Sequence, residues 1–136
     1  ENYSNFESIL TEWMENFFDH NKRNPEMILK LMKNHKESEN WFSSLIGFFY
    51  EYGFGDENII DKNKSLELYL SSINKNEDSR KLISMYYQLL NIIIAKILLS
   101  FYYYKDIIFT SQILSKSFFF NTLFVIKLRI SYKIHE

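Results

Sequence analysis

The sequence predicts an all-α fold, with helices arranged about one tight turn. Three observations carry this prediction. Apolar residues recur at intervals of three and four along successive stretches, the spacing of a helix with one buried face. Helix-start residues stand ahead of those stretches, as in Asn24-Pro25 and at Asp61. The chain's only glycines, Gly47, Gly53 and Gly55, fall within nine residues at the end of one stripe. A helical stripe that ends in Gly-x-Gly reads as a helix followed by a forced reversal.

Taken in order, Ser4 is expected to cap the first helix, with Glu7 at capping-box spacing. Phe6, Ile9, Leu10, Trp13 and Phe17 make its stripe, and the polar run Asp19–Arg23 ends it. Asn24-Pro25 starts a second helix with Met27, Ile28, Leu31 and Met32 as its apolar face and Lys30, Lys33, His35 and Lys36 near its end. Ser38 is expected to cap the third, whose stripe is Trp41, Leu45, Phe48 and Tyr52. Gly47 lies inside that helix, where glycine costs up to about 1 kcal/mol against alanine, so a neighbouring helix should pass close to its bare backbone. Gly53 suits the left-handed position past the helix end. Ile59 and Ile60 are expected to tuck inward, and Asp61 to cap a fourth helix with Leu66, Tyr69, Leu70 and Ile73 buried. A long pattern from Ser79 through Leu82, Tyr86, Leu89, Ile93, Ile97 and Phe101 is apolar nearly all round, which predicts a central helix.

Composition changes after Asp106. Residues 107–135 carry no acid but include Lys116, Lys127, Arg129 and Lys133, with the cluster Phe118-Phe119-Phe120. Two readings stay open, one more amphipathic helix with a basic outer face or a tail foreign to the ancestral fold. A basic membrane-surface helix is third.

A chain of 136 residues is one domain or part of a longer one, and can bury about two-thirds of its unfolded surface. Its first residue is Glu, so a fragment or processed form is expected. Sixteen basic against seventeen acidic residues give none of the basic excess that nucleic-acid binding asks for. The absence of cysteine excludes disulfides and thiolate sites. With no signal-peptide pattern at the start, a cytoplasmic protein is expected. The run Leu89–Tyr104 is broken by Asn91, Lys96 and Ser100 and reads as a buried helix, a membrane span being the minority reading.

Chemistry is sparse. His20, His35 and His135 lack a second ligand at helical spacing, so no metal is expected and they read as surface histidines. Asp56, Glu57 and Asp61 do not follow the alternate spacing of a calcium loop. Glu12 and Glu15 read as a solvated face, and no nucleophile elbow or kinase signature occurs. No catalytic residue, cofactor or enzyme activity is expected.

The block Ile46-Gly47-Phe48-Phe49-Tyr50-Glu51-Tyr52-Gly53-Phe54-Gly55, followed by Asp61-Lys62-Asn63-Lys64-Ser65 and Tyr69, resembles a Sel1-like repeat. That helix-turn-helix unit is related to tetratricopeptide repeats. The family pattern is Leu-Gly-x-x-Tyr-x-x-Gly-x-Gly, then Asp-x-x-Lys-Ala and a Trp/Tyr-rich second helix. Ser65 stands for the alanine, Phe42 for a small residue, and two extra residues precede Asp61. Leu99–Tyr103 echoes Ile46–Tyr50 as a decayed second copy. The resemblance covers about residues 40–73 and makes Gly47, Tyr50, Gly53, Gly55, Asp61, Lys64 and Tyr69 a structural motif. It implies a short α-solenoid. Residues 1–37 would be a helical pair serving as cap or degenerate repeat, 38–75 the repeat, 76–106 a helical segment, and 107–136 the atypical tail. The function implied is a non-catalytic scaffold for protein–protein interaction, with Tyr52 as a partner-binding aromatic, no nucleic acid and no membrane. Fungal proteins of this kind often join such repeats to protein-kinase-like domains, so the alternative is a regulatory fragment of a kinase-like signalling protein.

Overall fold

The computed structural model describes residues 3–55, 59–74, 82–111, 121 and 124–130. Side chains are described over 11–55, 59–74, 82–103, 121 and 124–130. Asp56, Glu57, Lys116, Phe118–Phe120, Lys133 and His135 lie outside these. The chain is all-α, with no strand among the described residues. Its helices are α1 (Tyr3–His20), α2 (Pro25–Asn34), α3 (Ser43–Tyr52), α4 (Lys62–Ile73) and α5 (Leu82–Ser111). A final helix, α6, covers 124–130.

Local chemistry explains most of the boundaries. The Asn24 side chain accepts from the Glu26 and Met27 amides, and Pro25 opens α2 where no amide donor is needed. Asp61 Oδ1 accepts from the Lys64 amide at 3.0 Å and caps α4. Two expected caps differ. α1 begins at Tyr3, which puts Ser4 inside the helix. Ser38 opens a π-helical turn, Ser38–Phe42, and no side chain caps either that turn or α3. The widened turn carries Phe42 into the core while Trp41 packs on Tyr87, ring centroids 4.9 Å apart.

The centre is α3, not α5. Nine of the ten α3 residues are buried. Phe18 of α1 meets Phe49 edge to face at 5.9 Å, and Tyr69 of α4 lies over Gly47. One core joins Met14 and Phe18, Ile28, Leu29 and Met32, the α3 residues, Tyr69, Ile94, Leu98 and Phe101, and Ile126 and Ile130 of α6. Each fully buried side chain of this size contributes about 1.5–3 kcal/mol. α5 flanks the core along one face and is continuous across the composition change after Asp106.

The chain reverses where the glycines sit. Gly53 takes φ 74° and Gly55 φ 81°. The Gly53 and Phe54 amides both donate to the Phe49 carbonyl, a left-handed helix ending that leaves Phe54 buried. The Asp61 amide then donates to the Tyr50 carbonyl at 2.8 Å and ties the start of α4 to the end of α3. Ile59 and Ile60 do not tuck in. They are 61% and 57% exposed.

A Cβ on Gly47 would stand 2.7 Å from Tyr69 Cε1, 2.9 Å from Cδ1 and 3.2 Å from the Ser65 carbonyl. The backbone oxygen cannot move aside. Gly47→Val is therefore expected to destabilise the fold by about 1–3 kcal/mol through overpacking, measured by urea denaturation; a near-neutral result would remove the close-approach account.

Candidate interaction surface

The motif residues come together at the α3–α4 contact. Gly47 provides the approach for Tyr69, Gly53 and Gly55 form the reversal, and Asp61 caps α4. The fully buried Tyr69 donates its hydroxyl to Glu51 Oε1 at 2.7 Å. Tyr50 is half-buried on the outer edge of α3. Lys33 Nζ donates to its hydroxyl at 3.0 Å, and Lys33 and Lys64 place their ammonium groups 5.7 and 6.0 Å from its ring centroid. The first turn of α4 holds Lys62 and Lys64 and no acid.

A second polar node lies deeper. Asn91 of α5 accepts from the Ser44 amide at 2.9 Å and from Ser44 Oγ at 2.6 Å, and donates to Ser43 Oγ at 2.9 Å. Ser43 Oγ and Ser72 Oγ of α4 are 2.6 Å apart, and each hydroxyl also reaches a carbonyl one turn earlier, of Glu39 and Leu68. Three helices are pinned at one point by groups that would each be costly if left unpaired. The bonds are all spent inside the protein, so the node positions helices rather than substrate.

Among the described residues, no three His, Cys, Asp or Glu side chains converge as metal ligands. His20 is exposed, while His35 is half-buried between Trp41 and Phe42, centroids 5.2 and 5.1 Å away. Its Nδ1 accepts from the Glu37 amide, and its buried Nε2 has no hydrogen-bond partner among the described residues. Two shallow polar cavities flank this region. One of about 410 Å³ is lined by Lys33 and His35–Asn40, the other of about 300 Å³ by Glu26, Leu29, Lys30, Lys33 and Asn34. Neither has the apolar lining of a ligand pocket.

Tyr52 is not a surface anchor. Its side chain is 8% exposed and packs against Phe48 and Phe54, because the left-handed turn folds Phe54 back over it. The exposed apolar surface is on α5 instead. Leu82, Tyr86, Leu89 and Ile93 follow at four, three and four, and Leu82, Tyr86 and Ile93 are 79%, 58% and 50% exposed. Ile83 widens the patch. No charged residue occurs from Leu82 to Ala95. The 22 residues Leu82–Tyr103 are long and apolar enough to cross a membrane, and contain an 18-residue window of mean hydropathy 1.7, 39% of it buried in the protein. The signal was in the sequence. The uncharged span could be read there, but not that one side of it is enclosed and the other exposed.

α6 packs against α1, the π-helical turn and α5. Lys127 sits over the Trp13 ring at 3.0 Å from its centroid and burial lowers its pKa. Arg129 Nη2 donates to the Trp41 carbonyl at 3.2 Å. The chain matches no protein-family model, no curated protein and no solved structure.

Burial, then Glu51, holds the Tyr69 phenol well above its ordinary value of 10.0. A raised pKa means the stabilisation from a neutral Tyr69 is complete below the unfolded value and is lost as pH rises beyond it. Tyr69→Phe is expected to cost about 1–3 kcal/mol at neutral pH by removing the buried Tyr69–Glu51 hydrogen bond, and to flatten the alkaline fall in melting temperature. Parallel wild-type and variant profiles above pH 10.0 would contradict this assignment.

Proposed function

We propose that the chain is a non-catalytic helical scaffold that binds another protein along the outer face of α5. The observation that carries this reading is the uncharged stripe Leu82, Tyr86, Leu89 and Ile93, which the folded chain leaves in solvent. Large apolar patches of this kind mark docking sites in soluble proteins. Leucine and tyrosine side chains at helical spacing suit a helix-in-groove or helix-on-helix partner. The Gly47–Tyr69 approach, the Gly53/Gly55 reversal and the Asp61 cap fit a Sel1-like helix-turn-helix unit, and we read the chain as a short array of such helices in the cytoplasm. On this reading it carries no catalytic residue or cofactor and does not bind nucleic acid.

The apolar length of α5 favours a second reading, contact with a membrane. Asn91 speaks for the first, since its side chain is spent on Ser43 and Ser44 and fixes that face of α5 to the core.

Photo-crosslinking separates the two. With benzoylphenylalanine in place of Tyr86, a discrete protein product is expected, absent when the same group replaces the exposed Glu67 of α4. Flotation of the purified chain with phospholipid vesicles, without a protein crosslink at position 86, would favour the membrane and sink the scaffold.

A further inference from the structure

Arg129 of α6 is 5% exposed. Its guanidinium carbon lies 5.5 Å from the Phe42 ring centroid and 5.6 Å from that of Tyr87. Nη2 donates to the Trp41 carbonyl, but among the described residues Nε and Nη1 have no hydrogen-bond partner. No carboxylate among the described residues pairs with it. Burial pushes its pKa down to about 10, and the groups opposing that are the phenols of Tyr87 and Tyr86. A buried guanidinium normally has its donors satisfied and its charge matched. One of the five N–H donors is used, Nε and both Nη1 hydrogens are unspent, and two rings face the charge where a carboxylate would match it.

The surroundings indicate where the missing group enters. Tyr87, which covers Arg129, packs edge to face on Tyr86 at 5.4 Å, and Tyr86 stands in the exposed α5 stripe. The uncompensated cation therefore lies one aromatic layer from an apolar surface that has no charge of its own from Leu82 to Ala95. A free anion would answer the charge but leave the stripe wet. A purely apolar partner would cover the stripe and bury the charge further.

We infer that this surface takes an amphipathic segment of a partner protein, with apolar side chains along Leu82, Tyr86, Leu89 and Ile93 and one Asp or Glu carboxylate delivered to Arg129. The inference rests on the scaffold reading and adds the chemistry of the partner. The planar guanidinium suits a carboxylate, which can accept two parallel N–H bonds. Binding requires Tyr86 or Tyr87 to turn aside, a side-chain adjustment ordinary at interfaces.

Two measurements on the full chain test it. In the first, thermal melts are compared in sodium acetate and sodium chloride at equal ionic strength. The wild type is expected to melt higher in acetate and Arg129→Met to show no difference; equal shifts in both overturn the assignment. Arg129→Met itself should melt at or above the wild type, since an unpaired buried charge is replaced by an apolar chain. Where that variant fails to fold, Arg129→Lys keeps the charge without the planar fork, and is expected to lose most of the acetate shift. In the second, the crosslink from position 86 should fall about tenfold or more in Arg129→Met, as for a truncated hot-spot arginine, with an Asp or Glu near the linked site in the captured peptide. An undiminished crosslink overturns the role of Arg129 while the scaffold stands. No crosslink in either background, with the acetate difference intact, overturns the protein partner and leaves a simple anion site. A crosslink to a second copy of the chain overturns the separate partner.

Discussion

The contact of Tyr69 with the bare backbone at Gly47 sets the geometry from which the other helices follow. It brings α4 close enough to α3 that a single methyl group would collide with the Tyr69 ring. At that distance the Tyr69 hydroxyl reaches Glu51, and Ser72 reaches Ser43. Asn91 of α5 can then complete the second node. The two nodes work differently from the apolar packing around them. Burial holds α3 in the core at almost any rotation, whereas the hydrogen bonds accept only one rotation and one register.

Arg129 contrasts with this second node, as the charged group among the buried atoms left without a partner, the other being the Nε2 of His35. The polar groups of the three-helix node are partnered within the chain, while the guanidinium on α6 keeps unspent donors between two aromatic rings. Ile126 and Ile130 on either side of it belong to the same core as α3, so the segment that carries the cation is firmly packed. Among the described residues, the buried guanidinium lies near the exposed apolar stripe of α5, away from the partnered Ser43–Ser72–Asn91 node. The α3–α4 side holds the fold, and the α5–α6 side presents the unanswered chemistry.

How much of this was legible in the sequence follows the range of each interaction. Caps depend on a residue and its next three neighbours, so those at Asn24 and Asp61 could be read directly, as could a left-handed Gly53. Close approach at Gly47 could be inferred from the cost of glycine in a helix, though not the identity of Tyr69 as the group above it. The rank of α3 over α5 could not be read, because α5 is the more apolar of the two by pattern and only the assembled fold decides which is surrounded. Tyr52 is covered because the Gly53 turn sends Phe54 inward against it, a contact set by the turn and not by local pattern; Ile59 and Ile60 stay exposed beyond the turn. At the candidate surface, the uncharged span from Leu82 to Ala95 was visible, but the convergence of Arg129 on Trp41, Phe42 and Tyr87 joins positions too far apart for local pattern to reveal.

α3 is the element around which the other described helices pack. Native-state hydrogen exchange across α3 and α5 tests that most directly. The amides of Leu45–Phe49 are expected to exchange only through global unfolding, with the free energy found by denaturant melts, and the first turns of α5 around Leu82 to exchange sooner by local opening. Exchange of the α3 amides at or below the protection of the Leu82 turn would contradict the placement of α3 at the centre.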